Sequence, residues 1–143
     1  TESDELVKEG NFDIESGYIM MKELMEQEVK PDAVFISNNS MTLGAYKYLK
    51  EAGLSIPDQV AVLGYDDSSW AQIVEPPITT VKQPAYELGV QAAKLMLARI
   101  IKKQVKREIM YLDTSLIVRR SCGCTVDNMF NSESVQLRDN LLI

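Results

Sequence analysis

Apolar positions along this chain follow two rhythms. From Ile14 they recur at Tyr18, Met21, Leu24 and Met25, the spacing of one helix face, and Asp13 just ahead carries the side chain of an N-cap. The spacing predicts a helix over residues 14–28, which Pro31 ends. The next run, Asp32-Ala33-Val34-Phe35-Ile36-Ser37, is apolar without alternation, the pattern of a parallel strand covered on both faces. Asn39 or Ser40 can cap a second helix over 41–52, and Gly53 stands where a left-handed residue closes a helix. Ile56-Pro57-Asp58 reads as a turn and Val60-Ala61-Val62-Leu63 as another buried strand. Leu6-Val7 reads as an earlier strand of the same sheet.

Strands alternating with helices predict an α/β fold with a parallel, right-handed, Rossmann-like sheet. The strand ends near Phe12, Asn38 and Asp66 then open onto one carboxyl edge, where open α/β sheets hold ligands. After Pro76-Pro77 the run Ile78-Thr79-Thr80-Val81 is β-prone. A long amphipathic helix over 86–101 follows, with Tyr86, Val90, Ala93, Leu97 and Ile101 on one face and Lys102 and Lys103 at its C-terminus. A strand pair is expected at 108–112 and 116–118, then a polar tail or linker over 125–143. Residues 1–124 therefore read as one unit.

Composition narrows the function. The 143 residues, 45% of them hydrophobic, suffice for one core. A net charge of -6 works against binding a phosphate backbone, so this chain by itself is a poor DNA binder. With no histidine, neither a serine–histidine triad nor the usual zinc-enzyme site can be assembled. Cys122 and Cys124 are too few for a disulfide framework or a zinc site and lack the two-residue spacer of thioredoxin-like motifs; they read as ordinary thiols in a reducing, cytoplasmic setting. No apolar run reaches the roughly 18 residues of a membrane span, and the acidic start TESDEL does not resemble a signal peptide.

The candidate chemistry is concentrated in VAVLGYDDSSWAQIVEPPITTVKQP. Asp66 and Asp67 follow a strand, where a carboxylate either accepts hydrogen bonds from ligand hydroxyl or amino groups or caps the short helix through Ser69 and Trp70. Asn38 offers a donor and an acceptor to a sugar hydroxyl, or serves as an ordinary turn or cap residue. Adjacent carboxylates do not face each other across a substrate, and the chain shows no nucleophile, phosphate loop or metal cluster. The chain therefore reads as a binding module and not an enzyme, with no cofactor expected.

PDAVFISNNSMTLGAYKYLKEAGLSIPDQVAVLGYDD, PPITTVKQPAYELGVQAAKLML and LIVRRSCG, in this order, resemble the effector-binding domain of the lac/galactose repressor (LacI/GalR) family, which has the type I periplasmic-binding-protein fold. The resemblance covers residues 10–123 and corresponds to the C-terminal subdomain plus a crossing helix, 86–101, of the N-terminal subdomain. It implies a bacterial transcriptional regulator that binds a sugar or related metabolite between two subdomains, touching DNA only through a region absent from this chain. It raises Asp66 and Asn38 to ligand contacts and leaves Asp67 as the cap. Phe12 falls where the family often stacks an aromatic ring, or it staples the Asp13 cap. Gln83 falls at the crossing strands, touching ligand or holding the hinge. Asn39 stands where an aspartate is usual. The family's dimer surface maps to Leu43, Tyr46 and Ile73, which could equally be core packing, and Trp70 is expected to pack. A homodimer without membrane association is implied. Two other outputs share the fold: a sensor ahead of a catalytic signalling domain such as a cyclase or kinase, and a periplasmic sugar-binding protein.

Overall fold

The computed structural model describes residues 4–102 and 109–124. Helix α1, Ile14–Glu26, begins at Asp13, whose carboxylate accepts the Ser16 N–H at 2.6 Å. Strand β1, Ala33–Ile36, leads into helix α2, Asn39–Glu51, and Gly53 beyond it takes the left-handed conformation at φ 69°. Strands β2, Ala61–Tyr65, and β3, Thr79–Lys82, are followed by helix α3, Ala85–Lys102, and strand β4, Ser115–Ile117. The sheet order is β1-β2-β3-β4, with β1, β2 and β3 parallel and β4 antiparallel to β3.

One face of the sheet carries the core. Val34 pairs with Val62 and Ile36 with Gly64, and this row packs beneath α2, close enough that a β-carbon on Gly64 would press on Thr42. Met21, Leu24 and Met25 of α1, Met41, Ala45 and Leu49 of α2, and Ile56, Val60, Ala71 and Ile78 complete the cluster. The helices cross closely because both carry glycine at the crossing. A β-carbon on Gly17 would strike the Met41 backbone, and one on Gly44 the Ile14 carbonyl.

Four expectations are corrected. Leu6-Val7 is not a strand: Asp4–Leu6 takes up a 3-10 turn, whose backbone does not extend along the free edge of β1, and both apolar side chains are exposed. Among the described residues, strand β1 is covered on one face only, with Phe35 exposed at the sheet edge. Asn38 caps α2 in place of Asn39 or Ser40, its Oδ1 accepting the Met41 N–H at 3.1 Å. A single strand, β4, stands where a pair was expected: among the described residues 109–112 have no strand partner, and Glu108 lies outside them, as do Lys103 and the tail 125–143.

Helix α3 differs from the rest. None of its residues 85–101 is buried, and Tyr86, Met96, Leu97, Ile100 and Ile101 are exposed.

Candidate functional site

Parallel strands bring their carboxyl ends to one edge, and three of the anticipated residues gather there: Asn38 after β1, Asp66 after β2 and Gln83 after β3. Phe12 joins from the start of α1, which runs antiparallel to β1 and so begins at the same edge. There Gly10 and Gly17 lie against Met41, in the first turn of α2. Phe12 does not act as a staple, since the residue is 68% exposed, and its backbone is left-handed at φ 60°. A non-glycine residue in that conformation is uncommon and marks a position held by its surroundings.

Asp66 is the second such residue, at φ 74°. Its N–H donates to the Val81 carbonyl at 2.9 Å, extending the β2–β3 ladder by one bond, and its carboxylate accepts the Gln83 side-chain amide. The carboxylate is thus aimed by β3, and Gln83 meets Asp66 directly. Asn38 spends Oδ1 on its cap, while its Nδ2 has no partner among the described residues.

Asp67 has a different task from the expected one. The helical turn Ser69–Gln72 has Ser68 at its N-cap position with no side-chain cap, and Asp67 turns inward. It accepts Arg119 Nη1 at 2.7 Å and the Thr80 hydroxyl at 2.8 Å, and both charged side chains are only 15% exposed. The Arg119 hydrogen bond, reinforced by Thr80 and by the charges of Arg119 and Lys82, outweighs burial and holds the Asp67 carboxyl below its ordinary range. Arg119 also donates to the Ile78 carbonyl at 2.7 Å. Adjacent aspartates thereby divide the work, with Asp67 fastened to the sheet and Asp66 left at its edge.

Arg119, Thr80 and Ser121 were not singled out from the sequence. Ser121, fully buried, donates to the Val62 carbonyl at 2.6 Å and accepts the Thr79 N–H at 2.8 Å, tying the segment after β4 to β2 and β3. A cation two residues beyond an apolar strand was the available signal for a partner to the aspartate pair. Trp70 packs as expected: its indole N–H donates to Asn39 Oδ1 at 2.8 Å, which gives Asn39 a role, and its ring lies 6.5 Å from that of Tyr46. Tyr46 donates to the Glu75 carbonyl at 3.0 Å, Leu43 is half-buried, and Ile73 is exposed.

Residues 1–122 match the periplasmic binding protein-like domain family. The chain belongs to this family. Within it, the resemblance to LacI/GalR effector-binding domains holds. The chain is 39% identical over 115 residues to the transcriptional repressor PurR of Histophilus somni, covering 80% of this chain and 34% of that protein. It is 40% identical over 116 residues to the regulator CelR of Thermobifida fusca, covering 81% of this chain and 34% of that protein. Among solved structures, a CelR–cellobiose complex aligns with TM-score 0.79 at 38% identity, over 85% of this chain and 37% of that one. A LacI-family regulator of Enterococcus faecalis with bound ribose aligns with TM-score 0.73 at 34% identity, over 79% and 42%. This periplasmic binding protein-like chain spans about a third of the length of the curated relatives it matches. Those relatives are transcriptional regulators, and no helix among the described residues is long and apolar enough to cross a membrane.

Proposed function

We propose that this chain is a ligand-sensing part of a cytoplasmic bacterial transcriptional regulator of LacI/GalR type, taking a sugar or related polar metabolite at the carboxyl edge of β1, β2 and β3. The observation that carries this reading is the Asp66 turn. A carboxylate is held in a left-handed backbone at a strand end and oriented by Gln83, while its neighbour Asp67 is neutralised by Arg119. Asp66 accepts ligand hydroxyl protons, Gln83 and the Asn38 amide donate, and the exposed Phe12 ring offers an apolar surface to the C–H face of a sugar. The cellobiose and ribose held by two solved relatives have this polar-edged, apolar-faced chemistry.

Asp67, fastened to Arg119, is not available as the second carboxylate of an acid–base pair, which favours binding over catalysis. DNA is contacted through a region outside this chain, and Ile73, Leu43 and Tyr46 form the surface through which two copies associate. Ligand biases the regulator by binding one arrangement of its subdomains more tightly than another.

The test uses the full-length regulator in thermal-shift and calorimetric titrations with cellobiose, ribose, other sugars and nucleosides. A ligand that binds the native state raises its melting temperature. Replacing Asp66 by Ala removes a charge-assisted acceptor and weakens the hit roughly 10- to 100-fold. A hit of unchanged affinity in Asp66→Ala would overturn the assignment.

A further inference from the structure

The segment Cys122-Gly123-Cys124 lies apart from the ligand edge. It follows Ser121, whose hydroxyl bridges Val62 near the start of β2 and Thr79 at the start of β3, so the two cysteines sit toward the amino ends of those strands. One-residue spacing says little about where two thiols point. The fold brings them together. Gly123 is left-handed at φ 75° and its N–H donates to the Arg120 carbonyl at 3.2 Å, closing the 3-10 turn Arg120–Cys122. That reversal places the Cys122 and Cys124 sulfurs 2.9 Å apart, in direct contact. The turn is anchored by the fully buried Ser121, and a β-carbon on Gly123 would face the Pro57 ring at 3.7 Å.

We propose that Cys122 and Cys124 form a reversible oxidation site that closes to an intramolecular disulfide under a hydroperoxide. The two thiols need little rearrangement to bond, because the chain between them is already reversed by glycine. Exposure is arranged to suit the reaction, with Cys124 open to solvent and Cys122 half-covered. Partial burial pushes the Cys122 thiol up, but hydrogen bonding with Cys124, Thr79 and the local backbone outweighs it and lowers it, while the same contact with Cys122 raises Cys124. The Cys122 thiolate attacks one peroxide oxygen, forming an S–O bond as the O–O bond breaks, and the departing oxygen leaves as water after protonation (as an alcohol for an alkyl hydroperoxide). Cys124 then attacks the sulfenic sulfur through its thiolate, forming S–S as the S–O bond breaks and the hydroxide leaves as water after taking up the proton that the Cys124 thiol gave up. Two electrons pass from the sulfurs to the peroxide, and a dithiol reductant reverses the change.

The whole chain is treated with a small excess of hydrogen peroxide, alkylated in denaturant and digested with trypsin, which releases both cysteines in the peptide 121–138. The expected product is that peptide about 2 Da lighter, with neither cysteine alkylated, and with both labels restored by prior dithiothreitol treatment. Closure in the folded chain runs roughly tenfold or more faster than in the same chain unfolded in urea. Two alkylated cysteines, Cys122 carrying two or three oxygens, disulfide-linked dimers, or equal rates in folded and unfolded chains would each overturn the proposal. The Cys124→Ser variant, lacking the resolving thiol, is expected to stop at a sulfenic acid trapped by dimedone, whereas the parent chain traps little.

Discussion

Helices α1 and α3 both carry an apolar stripe, yet their fates differ. In α1 the residues Met21, Leu24 and Met25 are buried, whereas in α3 the residues Met96, Leu97, Ile100 and Ile101 are open to water. The difference lies in what opposes each stripe. α1 meets α2 through Gly17 and Gly44, which let the two backbones approach, and together they cover one face of the sheet. Nothing among the described residues offers α3 such a surface. An amphipathic pattern specifies which face of a helix seeks cover, and the rest of the fold decides whether it finds any.

Substitutions on the two sides of this comparison should separate cleanly. Leu49→Ala removes a fully buried side chain from the α2 core and should cost about 2–5 kcal/mol, read as a lower urea midpoint. Gly44→Ala forces a methyl group into the α1 backbone and should cost about 1–3 kcal/mol despite the better helix propensity of alanine; a stabilised variant would mean the crossing is looser than described. Leu97→Ala on α3 should change the unfolding free energy by less than about 0.5 kcal/mol. A loss comparable to that of Leu49→Ala would show that α3 is covered in solution, and sedimentation would then reveal whether another copy covers it.

Local pattern made α1, β1, α2 and β2 legible in sequence, because helix periodicity and uninterrupted apolar runs are short-range signals. Gly17 and Gly44 could have been read as a close crossing, since a glycine inside a helical pattern weakens it and so calls for a packing reason. The candidate site was legible in part. Asp66 and Gln83 stand at strand ends, a position that topology alone brings to one edge, and the structure joins them by a hydrogen bond. The task of Asp67 was misread because a nearby helical turn offered a local use for it, whereas its partner Arg119 lies 52 residues downstream. Long-range polar pairing leaves no periodic trace. The same holds for Ser121, a small polar residue whose neighbours give no hint of complete burial.

Ser121 also changes how the sheet can open. The Thr79 N–H is held by a hydroxyl from 42 residues away, not by a strand carbonyl. Its exchange with deuterated solvent is therefore gated by departure of the segment 115–122, a local event of lower free energy than melting of the whole sheet. The Asp66 amide, bonded to Val81 across β2 and β3, is gated by the parting of those strands instead. The two protons are clocks for two different motions, one at each end of the same pair of strands.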